Sequence, residues 1–174
     1  LLVQSPGNLG IGTNQITVST SVPVNSATLA LDGGITISNR TLNLDGTGVA
    51  GSGALRSISG NNTWGGNVNL AGTMQLAYVG VDTGTLTLSG KINGGSSTLQ
   101  KTGAGTLIIS GSGNNQGSTV VGAGTVYQLG QDNVPGELFI KLDPSSTLEL
   151  SYIKGVDQES SLPDSYFETY DIQE

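Results

Sequence analysis

Two stretches of this chain resemble one another, and their spacing constrains the fold more than any single residue does. Residues 60–76 read GNNTWGGNVNLAGTMQL, and residues 113–129 read GNNQGSTVVGAGTVYQL. The Ala-Gly-Thr steps within them begin at Ala71 and at Ala123, a long way apart in a chain of this size. Self-similarity at so long a period is typical of stacked structural units rather than of one globular core. The pattern therefore predicts an elongated scaffold.

Short segments that are apolar at every second position recur through residues 1–130, and Gly, Asn, Asp or Ser bounds each of them. The six clearest predicted strands are residues 28–31, 35–38, 41–44, 67–70, 85–88 and 106–109. Gly-Thr occurs six times, which suits a corner followed by a strand, because Gly adopts positive φ and Thr is β-branched. No segment shows a helical apolar period. The sequence therefore predicts an all-β fold.

Many short strands can form either a β-solenoid or a β-sandwich. The strands are very short, and glycines recur at matching points of a long repeat, which favours the solenoid. We predict β-solenoid repeats over residues 1–130, with a β-sandwich as the alternative. The chain does not begin with Met, and we interpret it as a processed or excised piece.

Composition argues against several classes of function. The chain has no Cys and no His, so disulfides, thiolate chemistry and a Ser-His-Asp triad are excluded. A net charge of −7 argues against nucleic-acid binding, and no apolar run approaches the roughly 18 residues of a membrane span. We predict that the protein is not an enzyme and has no catalytic, cofactor-binding or metal-binding residue.

The composition changes near residue 131. Residues 131–174 hold two of the 28 Gly, with ten acidic and two basic residues, whereas residues 1–130 carry a net charge of +1. Residues 137–142 and 147–152 are predicted strands, and the acidic, aromatic remainder is predicted to cap the solenoid or to dock on a neighbour. Its carboxylates do not follow the spacing of known calcium-binding repeats, so we interpret them as a solvated surface; they are Asp157, Glu159, Asp164, Glu168, Asp171 and Glu174.

Residues 99–111 read LQKTGAGTLIISG, which resembles the first half of the autotransporter-associated β-strand repeat, also called the passenger-associated transport repeat. Residues 62–74 resemble its second half, with Trp64 in the aromatic position. Together the matches cover residues 53–129. The resemblance implies a right-handed parallel β-helix in a secreted or surface-exposed bacterial protein, with no catalytic residues of its own.

Several residues invite a functional interpretation. Trp64, the only Trp, would stack on carbohydrate, but a side chain that fills a coil is the preferred interpretation. The Asn pairs at 61–62 and 114–115 are predicted to form turns and to stack on one another as an amide ladder, rather than to bind a ligand. Arg56 and Lys101 lie at corresponding points of the two repeats and are predicted to cap coil edges.

Strands rich in Thr prompt an ice-binding hypothesis, because regular outward Thr arrays on flat solenoid faces match a lattice. Such a face needs the same outward Thr on coil after coil. The Gly-Thr steps are irregularly spaced, since from Gly46 onward they begin at Gly72, Gly84, Gly105 and Gly124. The spacing argues against ice binding.

The function predicted from these features is a non-enzymatic structural role: a β-solenoid segment of a bacterial surface fibre, filament or autotransporter passenger, outside the cell. The apolar start at residues 1–3 and the acidic end permit head-to-tail self-assembly. The expected partner is the chain itself or the rest of a longer surface protein, without nucleic acid. An adhesin-type module that binds glycan or another surface ligand is the alternative, and a trimeric viral fibre or spike segment is a further one.

Overall fold

The computed structural model describes residues 1–10, 12–19, 27–70, 72, 75–129 and 147–151. These residues form 16 strands and two short 3-10 helices, Pro6–Leu9 and Val49–Gly51. Within this part of the chain every strand pair is parallel, and there is no helix long and apolar enough to cross a membrane.

The strands stack into three parallel sheets. Sheet A contains β1 (Leu2–Val3), β3 (Leu29–Asp32), β6 (Leu55–Ser59), β9 (Leu76–Val81), β12 (Thr98–Thr102) and β14 (Ser118–Val121). Sheet B contains β2 (Ile16–Val18), β5 (Leu42–Leu44), β8 (Val68–Leu70) and β11 (Ile92–Asn93). Sheet C contains β4 (Thr36–Ile37), β7 (Asn61–Trp64), β10 (Thr85–Leu88), β13 (Thr106–Ile109), β15 (Thr125–Leu129) and β16 (Thr147–Ser151).

From β3 to β12 the chain visits the sheets in the order A, C, B and then returns to A one level further along. One such circuit is a coil, so β3, β4 and β5 belong to the second coil, and the six strands of sheet A define five full turns. The predicted parallel β-solenoid is confirmed, and the β-sandwich alternative is wrong because the sheets are parallel and each strand pairs with the coils before and after it.

All six strands predicted from the alternating pattern are present, each within one or two residues of its predicted bounds. The predicted strand at 147–152 is also present as β16, which pairs in parallel with β15 and so continues the stack instead of folding back as a hairpin. The predicted strand at 137–142, the acidic carboxylates and the capping or docking segment lie outside the described residues.

Side chains that point inward form rows that run along the axis of the solenoid. One row in sheet A is Leu29, Leu55, Val79, Lys101 and Val121, each in register with the next and each buried. A row in sheet C is Ile37, Trp64, Leu88 and Ile109. Because alternate residues of a strand face one side, these rows are the core that the alternating pattern predicts.

From β1 to β15 the coils shorten, whereas the interval from Thr125 to Thr147 is longer than that from Thr106 to Thr125. Register partners on adjacent coils are separated by 26 in sequence number at Asn43 and Asn69, by 24 at Asn69 and Asn93, and by 20 at Thr98 and Ser118. Most of the loss occurs between sheets B and A, where the connection falls from ten residues after β5 to four after β11. The solenoid is therefore tapered, and equivalent positions do not recur at a constant sequence interval.

Because the coils differ in length, the two similar stretches of sequence, residues 60–76 and 113–129, do not stack on one another. Residues 61–64 form a strand of sheet C, whereas residues 113–117 precede a strand of sheet A, and Asn115 donates its backbone N–H to Ile92 in sheet B. The two similar stretches therefore occupy different phases of the coil. The prediction of stacked units is right, but the prediction that these stretches are equivalent positions is wrong.

A column of glycines lines the corner between sheets C and B. A Cβ at Gly66 would overlap the carbonyl oxygen of Arg40, one at Gly90 that of Gly66, and one at Gly111 that of Gly90. None of these three glycines has a positive φ, so the requirement is close approach of successive coils rather than an unusual backbone conformation. This packing explains much of the glycine content around these corners.

We expect Gly90→Ala to lower the free energy of unfolding by about 1–3 kcal/mol, because its methyl group would force the backbone of two coils apart. Gly7→Ala is the matched control, since its Cβ would meet only Ser5 Oγ, at 3.7 Å. Urea unfolding followed by circular dichroism measures both. Equal midpoints for Gly90→Ala and the wild type would contradict this explanation.

Candidate functional site

Several polar side chains inside the solenoid bond to the neighbouring coil. Asn62 is 1 % exposed and sits in an inward row of sheet C. Its Oδ1 accepts from the backbone N–H groups of Gly34 and Ile35 at 3.0 and 2.8 Å, and its Nδ2 donates to Ser57 Oγ and Ser59 O at 2.8 and 2.9 Å. The amide is saturated within the protein, so Asn62 is a structural residue that joins the second coil to the third.

Asn114 has a similar role elsewhere. It is buried, its Oδ1 accepts from the N–H of Ile92 at 2.7 Å, and its Nδ2 donates to Gly111 O at 2.8 Å. Asn62 lies in sheet C and Asn114 lies beside sheet B, so the predicted stacking of the two Asn pairs on each other is wrong. The expected bonds from these amides to a neighbouring coil are present, but the expected turn is wrong at Asn61 and Asn62, which begin strand β7.

The structure contains an amide ladder that the sequence analysis missed, on the outer face of sheet B. Asn93 Nδ2 donates to Asn69 Oδ1 at 3.0 Å, Asn69 Nδ2 donates to Asn43 Oδ1 at 2.8 Å, and Asn43 Nδ2 donates to Thr17 Oγ1 at 3.1 Å. The ladder joins four consecutive coils, and every bond points towards the N-terminal end. The signal that would have revealed it is an Asn directly after a branched apolar residue that recurs after 26 and then 24 positions.

Trp64 is fully buried in an inward row of sheet C, and its Nε1 donates to Arg40 O at 3.0 Å. The preferred interpretation, a side chain that fills a coil, is confirmed. Carbohydrate stacking on Trp64 is excluded, because neither face of the indole reaches solvent.

Lys101 is the most unusual residue of the interior. Its side chain is fully buried between Val79 and Val121, and its Nζ donates to the carbonyl oxygens of Thr102, Gly103 and Ala123 at 2.8, 2.6 and 3.1 Å. Two of these acceptors belong to its own corner and Ala123 belongs to the next coil. Lys101 therefore joins the last two described corners between sheets A and C.

Burial lowers the pKa of Lys101 from its ordinary 10.5 to about 8, against a weaker opposing attraction from Asp82. Burial has this effect because it disfavours the charged form of an amine. The amine is enclosed by backbone and aliphatic side chains, so its perturbed pKa reflects a structural position and does not mark an accessible nucleophile.

Arg56 does not correspond to Lys101. Leu55, not Arg56, is in the inward row with Lys101, and Arg56 points outward. Its Nε donates to Asp82 Oδ2 at 2.9 Å in a partly exposed ion pair that joins the third coil to the fourth, and this bond raises the pKa of Arg56. The predicted equivalence of the two basic residues is wrong, although each does join adjacent coils.

Hydrogen bonds between coils continue along the same side of sheet A, from the Arg56–Asp82 pair towards the N-terminal end. Asp32 accepts from Ser59 Oγ at 2.6 Å and from Gln4 Nε2 at 3.1 Å, and these bonds lower the pKa of Asp32. Gln4, Asp32 and Ser59 belong to the first, second and third coils. Together with the Arg56–Asp82 pair, they link four coils along one side of the solenoid.

An apolar groove of about 570 Å³ lies at the N-terminal end. Its lining includes Leu1, Leu2, Ile16, Val18 and Val49. Leu1, Leu2 and Val49 are the exposed large hydrophobic residues of the described chain, at 73, 49 and 54 % exposure. Because β1 is also the edge strand of sheet A among the described strands, this end presents apolar side chains beside a strand edge that no other described strand covers.

No group of three or more His, Cys, Asp or Glu side chains in the described ranges is arranged to hold a metal ion. Comparison of the chain with models of known protein families, with curated proteins and with solved structures found no match.

We expect Asn69→Asp to lower the free energy of unfolding by about 1–2 kcal/mol, because a carboxylate oxygen would replace the donor that faces Asn43 Oδ1. Asn61→Asp is the control, since Asn61 is exposed and its side chain makes no hydrogen bond within the described structure. Chemical denaturation of the three proteins measures the difference. Equal losses in the two variants would show that the ladder contributes nothing.

The buried Lys101 predicts a dependence of stability on alkaline pH. Between about pH 8 and 10.5 the unfolded state binds the lysine proton more tightly than the folded state, so the free energy of unfolding should rise with pH in this range. Lys101→Met lacks the titrating group and is the reference. The stability of the wild type relative to Lys101→Met should increase over this window, and a constant difference would contradict the assignment.

Proposed function

We propose that this chain is a non-enzymatic structural protein, a β-solenoid segment of a bacterial surface fibre, filament or autotransporter passenger. One observation carries the proposal: the polar side chains of the interior and of two outer faces bond from one coil to the next. Asn62, Lys101, the Asn43–Asn69–Asn93 ladder and the Arg56–Asp82 pair all do so. Such bonds resist separation of the coils along the axis.

The resemblance of residues 53–129 to the autotransporter-associated β-strand repeat supports a location outside the cell, on a bacterial surface. Repeats of that family lie in secreted or surface-exposed passengers. Antibodies raised against this chain should label intact cells of the organism that makes it. Labelling that requires lysis of the cells would contradict the proposed location.

The length of the solenoid supports a role as part of something larger. Five spacings of about 4.8 Å give roughly 24 Å between the first and last strands of sheet A. A fibre of any length therefore requires many copies or a longer polypeptide. The two ends of the tapered solenoid differ, so contacts between copies would be head-to-tail rather than symmetric.

The apolar groove at the N-terminal end supports self-assembly, because apolar side chains beside an edge strand favour addition of another strand. Electron microscopy of the purified chain over a concentration series should show filaments that lengthen with concentration. Leu2→Lys should shorten them, whereas Gln100→Lys, on the side of sheet A, should not. Single particles at every concentration would contradict self-assembly.

A further inference from the structure

The outer face of sheet C carries two adjacent columns of threonines, which overlap on the fourth coil. Thr85, Thr106 and Thr125 are in register on three consecutive coils, and Asn61 precedes them in the same column. Thr36, Thr63 and Thr87 form the neighbouring column, two residues further along each strand. Ser89 and Ser110 are exposed two residues beyond that. We call this surface the hydroxyl face.

The register overturns the argument that irregular Gly-Thr spacing precludes such an array. Thr85, Thr106 and Thr125 each follow the Gly of a Gly-Thr step, and the structure places them directly in line although their sequence intervals differ. The interval varies because the coils shorten. Thr47, in another Gly-Thr step, lies in a connection between sheets B and A and does not belong to this face.

Within the described residues, the threonine hydroxyls of this face have no partner. None of its six threonines makes a side-chain hydrogen bond within the described residues, whereas the amides of sheet B bond to each other and Arg56, Asp82 and Asp32 of the sheet A edge are paired. From β4 to β15 the described positions of the two columns carry no charged residue. Of the three faces, sheet C is the one that displays ordered, uncharged and unsatisfied hydroxyls.

The geometry of these hydroxyls is fixed in two directions. Coils lie about 4.8 Å apart, and alternate residues of a strand lie about 6.7 Å apart. Thr has a stiff χ1 on a strand, so little side-chain entropy is lost when the hydroxyls hold water at fixed positions.

We propose that the hydroxyl face binds ice. A rigid, uncharged surface whose hydroxyls repeat at the coil spacing along two adjacent columns suits a periodic lattice of water oxygens, and a charged side chain would impose its own hydration shell. Ile108, Tyr127 and Glu149 occupy the second column beyond Thr87, on the strands β13, β15 and β16. The binding area is therefore centred on the third to fifth coils. The inference is independent of the structural role proposed above.

The test is inhibition of ice recrystallisation, together with thermal hysteresis, by the purified chain. The wild type should be active. Thr106→Lys should abolish activity, because it places a charge at the centre of the first column. Gln100→Lys adds the same charge on the outer face of sheet A in the same coil, and it should retain activity. Thermal unfolding monitored by circular dichroism should show a wild-type midpoint for each protein compared.

If Thr106→Lys fails to fold, Thr87→Lys makes the same test in the second column. An inactive wild type, or activity that survives a folded lysine variant of this face, would overturn the proposal. Retention of the wild type on an insoluble polysaccharide such as cellulose, with no effect on ice, would also overturn it and would identify a glycan as the ligand of this face.

Discussion

The parallel backbone ladder between consecutive coils determines where every other group in this molecule lies. It holds neighbouring strands about 4.8 Å apart and places each side chain directly over the equivalent side chain of the previous coil. Apolar residues then form rows such as Leu29, Leu55 and Val79, and the corners approach so closely that a Cβ at Gly90 would overlap the carbonyl oxygen of Gly66. The core and the corners are both consequences of this one spacing.

A narrow interior leaves few places for water, so the protein itself supplies the partners of most buried polar groups, with Asp45 Oδ1 and Gln116 Oε1 as exceptions among the described residues. The stacked backbone supplies such partners, because the corner of a neighbouring coil places backbone N–H and C=O groups within hydrogen-bond distance of the side chain. Asn62 uses the N–H groups of Gly34 and Ile35, and Lys101 uses the carbonyl of Ala123. Asn62 and Lys101 therefore join coils, whereas an apolar residue at either position would leave those backbone groups unpaired.

The strands could be predicted from the sequence because alternation of apolar residues is a local property. Register could not, because successive coils grow shorter and no fixed period aligns them. The same change of length hid the Asn43–Asn69–Asn93 ladder and made Arg56 seem equivalent to Lys101. It also made the Thr column of sheet C look irregular. Each of these wrong predictions has the same cause. The segments that connect the strands lose residues from coil to coil, which changes the sequence interval between equivalent positions but not the stacking of the strands.

The outer faces of the three sheets differ in their hydrogen bonding. The spacing between coils is the same on each face, but the side chains differ in length. An Asn amide has a donor and an acceptor at the end of an extended chain, so identical Asn residues on adjacent coils can bond, as Asn69 and Asn43 do. Identical Thr residues stacked in one rotamer keep their hydroxyls about 4.8 Å apart, well beyond the O–H···O distance of about 2.8 Å. An unlike pair, Thr98 and Ser118, does meet at 2.8 Å. Stacked amides therefore hydrogen-bond to one another and hold the coils together. Stacked threonine hydroxyls do not reach one another, so their donors and acceptors face the solvent or a ligand.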